Sequence, residues 1–276
     1  VLNPHTAHSI SPFTLLSSLK IHWNLIHSLI RREVVGRYRG SVLGLLWSFF
    51  NPVLMLAIYT FVFSVVFKAR WLEGSESKTE FALVLFAGLM LYNFFAECVT
   101  RAPGLVLSNV NYVKKVVFPL EILPVVILGS AFFHFLVSLV VWLIFYLTFF
   151  GVPPASFVFI TILLLPFMLM VLGLGWFLAS IGVYLRDVSQ VIGLITSALM
   201  FLSPIFYPVT ALPENYRWLL QINPLTFVIE QARAAMIWGS ALDWTGLAFY
   251  TLFAAMTAWF GFAWFQKTRK GFADVL

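Results

Sequence analysis

Residues 122–150 read ILPVVILGSAFFHFLVSLVVWLIFYLTFF, from Ile122 to Phe150 without one Asp, Glu, Lys or Arg. A helix of about 20 apolar residues crosses the ~30 Å hydrocarbon core of a bilayer, whereas a buried helix of a soluble core is shorter. This run therefore predicts a transmembrane helix, long enough to tilt or to protrude. Five similar runs accompany it: Val42–Phe67, Phe81–Val99, Phe157–Leu185, Val191–Tyr207 and Thr245–Phe265. Pro166, inside the fourth span in chain order, predicts a kink there.

Composition agrees. Of 276 residues, 61% are hydrophobic and 10% are charged, against roughly 25% charged in soluble domains. The sole cysteine, Cys98, excludes an internal disulfide and a cysteine metal cage. The net charge of +6 sits at the ends of apolar runs, a topology signal rather than a nucleic-acid footprint. The first apolar run lacks the short core and small-residue cleavage site of a signal peptide, so it is expected to stay as an anchor.

The Lys and Arg distribution sets orientation. Lys20, Arg31, Arg32, Arg37, Arg39, Arg101, Lys114, Lys115, Arg186, Lys267, Arg269 and Lys270 fall on one side. Lys68, Arg70, Lys78, Arg217 and Arg233 fall on the other, offset by Glu73, Glu76, Glu80, Glu214, Glu230 and Asp243. The positive-inside bias places both termini in the cytoplasm, as an even number of spans requires. The expected fold is an all-α integral membrane protein of six transmembrane helices in one domain, residues 1–276. Residues 1–40 form a cytoplasmic amphipathic segment, 41–267 the six-span bundle and 268–276 a cytoplasmic tail.

Three connecting segments carry helix signals. Ser11-Pro12 is a cap followed by a favoured first helical residue, and Leu15, Leu19, Trp23, Ile26 and Ile30 recur at helical spacing. Phe13–Arg32 therefore predicts a helix in the cytoplasmic interface. Arg101–Glu121 predicts a short cytoplasmic helix or helix pair. Thr210–Asp243 is divided by Pro213 and Pro224 into two short segments. Trp218, Leu219 and Ile222, then Phe227, Ile229 and Met236, suit re-entrant helices dipping into the outer leaflet between spans five and six.

Missing motifs exclude whole classes. No phosphate-binding loop, nucleophile elbow or zinc-protease helix occurs, so neither ATP hydrolysis nor hydrolase chemistry is expected. The five histidines, His5, His8, His22, His27 and His134, form no cluster with carboxylates. His134 is the only titratable candidate deep in a span, and a packing role bonded to Ser130 and Ser138 is expected. Glu97 and Arg101 are spaced for a simple helix pair. Gly36, Gly40 and Gly44 form a small-residue row entering span one, and Gly175 and Ala179 repeat it in span four. Phe201, Phe206 and Tyr207 suit stacking against pyranose rings or a lipid-facing belt.

Several ordered stretches resemble the bacterial polysaccharide ABC-exporter permeases. They are RREVVGRYRGSVLG from Arg31 to Gly44, continuing through Trp47 to Asn51-Pro52, and NVNYVKKVVFPLEILP from Asn109 to Pro124. YLRDV from Tyr184, SPIFYP from Ser203, Asn223-Pro224-Leu225 and the ending FADVL from Phe272 follow in order. The resemblance covers nearly the whole chain. It implies a type-2 ABC permease acting as a homodimer with two copies of a separate ATP-binding subunit, which alone holds ATP and Mg. No cofactor, metal or nucleic acid is expected on this chain. It further implies ATPase coupling through Phe13–Arg32 and the 101–112 segment (Arg101, Ser108, Asn109, Asn111 and Tyr112), with Arg186 and Asp187 as a smaller contact. A path lined by Phe201, Phe206, Tyr207 and Tyr59 is expected, carrying a lipid-linked polysaccharide, O-antigen foremost, across the inner membrane. Capsular polysaccharide, teichoic acid or a small molecule are the alternative cargoes. An intramembrane transferase, the reading from another class, would need an acidic or histidine site at the membrane surface.

Overall fold

A computed structural model describes residues 9–62, 78–114 and 118–276. Outside them lie residues 63–67 of the first expected span, the outer-side charges Lys68, Arg70, Glu73 and Glu76, and also His5, His8 and Lys115. Within them the chain is helical and contains no strand.

The N-terminal segment is two helices rather than one. Helix α1 spans Pro12–Ile21, and the Ser11 hydroxyl accepts from the Phe13 amide at 3.3 Å as the cap signal requires. The chain breaks at His22, and α2 runs Trp23–Arg37, five residues beyond the expected end. Its Ile26 and Leu29 are buried, and Ile30 presses onto Gly129 so closely that no Cβ would fit there. Helix α2 is thus docked on the bundle along one face. Gly40 and Gly44 adopt positive φ beyond its end, so the Gly36-Gly40-Gly44 series is a turn and not a helical stripe. Among the described residues nothing approaches within 4 Å of a Cβ at those three positions.

Among the described residues five helices are long and apolar enough to cross a membrane, within Gly44–Val62, Thr79–Arg101, Leu120–Phe149, Ala155–Tyr184 and Trp244–Val275. Their regular α-helical parts are α3 (Trp47–Tyr59), α4 (Lys78–Arg101), α6 (Leu123–Phe149), α7 (Phe159–Tyr184) and α11 (Trp244–Thr268). The short α5 (Val110–Lys114) lies between α4 and α6. The expected fifth span, Val191–Tyr207, is instead the 14-residue helix α8, Val188–Phe201. At 1.5 Å per residue it reaches about 21 Å, short of the ~30 Å hydrocarbon core. It stops because Ser203-Pro204 leaves the helical path.

Helix α4 is the axis of the core. From Phe81 to Val99 only Asn93, Ala96 and Glu97 are not buried. The tightest helix pair is α7 with α11, where Gly173 and Gly261 meet backbone to backbone and a Cβ on either would collide. The close approach in span four is therefore made by Gly173; a Cβ on Gly175 would have ordinary room, 3.5 Å from the Pro124 side chain. Helix α7 continues through Pro166 from Phe159 to Tyr184. Helix α3 is the opposite case, with only Ser48 and Leu56 buried among 13 residues.

Between α8 and α11 the proline-divided segment forms α9 (Arg217–Ile222) and α10 (Pro224–Met236). Asn223 organises the junction. Its Oδ1 accepts from the Leu225 amide at 3.0 Å, and its Nδ2 donates to Leu202 O at 3.0 Å and Ser203 Oγ at 2.8 Å. Trp218, Leu219 and Ile222 are exposed on α9. Ile229 and Met236, expected to face lipid, are fully buried because α10 packs against α4 and α7.

Candidate functional site

Glu33, Arg37, Glu97, Arg101 and His134 form one network across three helices. Arg101, at the end of α4, donates to Glu33 of α2 at 2.7 Å and to Glu97 at 3.4 Å. Arg37, at the end of α2, pairs with Glu97 through a very short contact. Its second nitrogen lies 3.1 Å from His134 Nδ1 of α6, and that same Nδ1 lies 3.3 Å from Glu97 Oε2. One ring nitrogen cannot both accept from Arg37 and donate to Glu97, so the two contacts belong to alternative proton positions. In either, His134 Nε2 is buried without a partner among the described residues.

This corrects the local reading of His134 and extends that of the Glu97–Arg101 pair. Ser138 bonds the His134 backbone carbonyl, not its ring, and Ser130 Oγ bonds nothing among the described residues. The Glu97–Arg101 pair exists, but it is the longest arm of a network tying α2 to α4 and α6. Carboxylates and guanidiniums alternate, so charges are offset within a setting where an unpaired one is costly.

A cavity of about 360 Å³ opens beside the network, bounded by α3, α4 and α6. Arg37, Glu97, His134, Asn93 and Asn51 give it a polar end, and Tyr59 lines its wall. It lies along the sparsely buried helix α3.

At the adjacent end of the bundle, Arg101–Tyr112 is a compact turn. The Pro103 carbonyl sits on Gly182 of α7 with no space for a Cβ, which fixes the turn against the α7 terminus. Ser108 and Asn109 both bond back to Leu105 O, at 3.0 and 2.9 Å, and so build their own turn. Tyr112 accepts from Arg32 of α2 at 3.1 Å and stacks on Phe118, centroids 4.3 Å apart. Asn111 is exposed, as are Arg186 and Asp187 four and five residues beyond Gly182. Asp187 occupies the cap position of α8 without a side-chain cap bond, leaving its carboxylate outward.

The aromatic trio is one cluster. Phe201 and Phe206 stack with centroids 5.8 Å apart, and the Tyr207 hydroxyl donates to Phe201 O at 2.6 Å. Phe201 is 62% exposed at the end of α8. Tyr59 belongs to the cavity beside α3 instead.

The sequence model of the ABC-2 type transporter family matches residues 24–237, from α2 through α10. This chain belongs to that family. Among relatives, the O-antigen export system permease protein RfbA of Klebsiella pneumoniae is 26% identical over 266 residues, 94% of this chain and 100% of its own. The polysialic acid transport protein KpsM of Escherichia coli is 24% identical over 263 residues, covering 92% and 96%. The capsule polysaccharide export inner-membrane protein CtrC of Neisseria meningitidis serogroup B is 26% identical over 263 residues, covering 92% and 94%.

Two further features of this ABC-2 chain escape a sequence reading. Arg233, counted there as an outer-side loop charge, is fully buried. It donates to Val84 O at 3.0 Å, Ile205 O at 2.9 Å and Glu230 at 3.2 Å, and makes a shorter bond to Pro204 O. Burial pushes its pKa down to about 10, so it stays charged at neutral pH. Alanines 232, 234 and 235 around it were the available signal, since small neighbours let a helix pack closely. The second is Glu121, which accepts from Ser18 of α1 at 2.8 Å and from Arg269 of the tail at 2.7 Å. These bonds put α1, the start of α6 and the C-terminal tail at one end of the bundle. Among the described residues no three His, Cys, Asp or Glu side chains are placed to hold a metal ion.

Proposed function

We propose that this chain is the permease subunit of an ATP-driven exporter of lipid-linked polysaccharide, O-antigen foremost, in the bacterial inner membrane. The carrying observation is the end-to-end match to O-antigen export permeases, 94% of this chain against 100% of the relative. Capsular polysaccharide is the second reading, favoured by the equally long matches to KpsM and CtrC. The partner is a separate ATP-binding subunit in two copies, and it alone holds ATP and Mg. The permease works as a homodimer, for which the barely buried α3 leaves a free face.

Six crossings are the topology this function needs. Ser18, Glu121 and Arg269 join α1 and the tail at one end, which supports an even number of crossings, and among the described residues five helices are long enough alone. Helix α8, extended by residues 202–207, supplies the sixth. That end carries Lys20, Arg101, Arg186 and Arg269, so both termini are cytoplasmic. On the outer side α9 and α10 form re-entrant gate helices.

Coupling runs through exposed Asn111, Arg186 and Asp187 with the 101–112 turn. Motion there reaches the interior along two backed routes, Pro103 on Gly182 and Arg101 into the Glu97–Arg37–His134 network. A polymer longer than the bilayer is thick cannot be occluded whole. It stays threaded past Tyr59 and the Phe201–Phe206–Tyr207 cluster while the permeases move as rigid bodies. The test is purification with and without the adjacent ATP-binding protein. Activity is expected only from the complex, with cysteines at residues 101–112 crosslinking to the partner. ATP hydrolysis by the permease alone, or a stable complex lacking such crosslinks, contradicts the assignment.

A further inference from the structure

Helix α11 ends at Thr268, and a turn at Arg269–Gly271 leads into a last short helix, α12 (Phe272–Val275). The spans do not need this ending, because α11 is already locked to α7 at Gly173 and Gly261. Yet Phe272 is fully buried, its ring centroid 5.5 Å from that of Phe265 and 6.0 Å from that of Tyr184. Burying a whole phenylalanine ties down a chain end that would otherwise fray.

The tail touches two turns that are distant in sequence. The first is the 101–112 turn, since α12 packs against α5 at its close. Arg269 donates to Phe118 O at 3.0 Å, and the Phe118 ring stacks on Tyr112, centroids 4.3 Å apart. The second is the turn between α7 and α8. The Tyr184 hydroxyl donates to Thr268 O at 2.7 Å, and a Cβ on Gly271 would lie 2.6 Å from that hydroxyl. Exposed Arg186 and Asp187 follow two and three residues after Tyr184. Pro103 on Gly182 holds the start of the first turn, and the tail holds its end.

We propose that residues 269–276 are a brace that fixes the spacing of the 101–112 turn and the Arg186-Asp187 turn, with Arg269 and Phe272 as positioning residues for coupling. A rigid partner that contacts both turns at once binds best when their spacing is set beforehand. The inference rests on the coupling proposed above, but the spacing is read on the permease without its partner, so either can fail alone.

Asn111→Cys and Arg186→Cys place spin labels on two exposed positions, while Cys98 is buried and stays unlabelled. Diluting labelled with unlabelled chain leaves only distances within one copy. The full-length chain should give one narrow distance, and ending the chain at Gly271 should lose it. Phe272→Ala should lower the braced fraction at least about tenfold, the least that removing a buried ring costs. Phe272→Leu keeps the apolar volume and should retain the narrow distance. In the otherwise native complex, export per ATP hydrolysed should fall with Phe272→Ala and recover with Phe272→Leu. A narrow distance that survives loss of 272–276, or a lost one with export per ATP unchanged, overturns the brace. Loss of the monodisperse peak on size exclusion also overturns it, by placing Phe272 in the fold itself. The unaltered chain gives a check that no variant can spoil. Linkage is reciprocal, so binding of the ATP-binding subunit must slow amide exchange at residues 272–276. Unchanged exchange there overturns the proposal.

Discussion

Replacing Arg233 by Met should loosen α10 and the chain that follows α8 from the bundle. The guanidinium serves Val84 O on α4 and the Pro204 and Ile205 carbonyls where the chain leaves α8. Methionine fills similar space but offers no donor, so buried acceptors lose partners at ~1–3 kcal/mol each. Val84 lies inside α4, where its carbonyl has a helical partner as well, so the total is about 3–5 kcal/mol. For a chain of this size that corresponds to a fall in Tm of roughly 10 °C. Arg233→Lys, which keeps the charge but not the planar fork, should fall between. Gly88 supplies an internal check, because a Cβ there would lie 2.7 Å from the Arg233 guanidinium. Gly88→Ala should therefore destabilise the native chain. In the Arg233→Met background it should be neutral or better by up to ~1 kcal/mol, where helix propensity alone decides. Thermal unfolding of the purified chain in detergent measures all four. A Tm change below about 2 °C for Arg233→Met, or additive effects of the two substitutions, would refute the latch.

Three other outcomes follow from the same geometry. Gly173→Val places a side chain against the Ala258 backbone, 2.6 Å from its nitrogen, and should abolish the monodisperse peak on size exclusion, whereas Gly36→Ala should leave it unchanged. Glu97→Gln weakens the charge that holds Arg37 and Arg101 and should cut export at least about tenfold while ATPase activity of the complex persists; parallel loss of both would place Glu97 in folding instead of coupling. The triple variant Phe201→Leu, Phe206→Leu, Tyr207→Leu keeps most apolar area but removes flat faces, and should lose surface polysaccharide at matched expression. Full export by it would remove the cluster from the path.

The fold was legible where composition acts directly. Apolar length marks α4, α6, α7 and α11 because lipid demands it of every crossing helix. Ser11-Pro12 marks a helix start because caps are local chemistry, and Pro224, read as a divider, proves to open α10 behind the Asn223 cap. The break at His22 carried no glycine or proline, whereas the end of α8 is signalled by Ser203-Pro204 but lies inside an apolar run long enough to read as a span. The site was less legible, because its bonds join distant positions. Glu33 and Arg101 are 68 residues apart, and Arg233 and Val84 are 149 apart. Charge counting could place Arg233 on the outer side but not inside the protein. Phe201, Phe206 and Tyr207 touch one another because they are neighbours in sequence, while Tyr59 lines the cavity beside α3.

The central claim is that this chain conducts polysaccharide under power from a separate ATPase, and reconstitution tests it most directly. Inside-out vesicles carrying the permease and its ATP-binding partner are given lipid-linked polysaccharide on the outer, cytoplasmic face, and lumenal polymer is measured after ATP addition. The account predicts ATP-dependent accumulation that requires both proteins and disappears when the partner's ATPase is inactivated. Accumulation by the permease without ATP, or failure of polysaccharide to enter while a small molecule does, would contradict it.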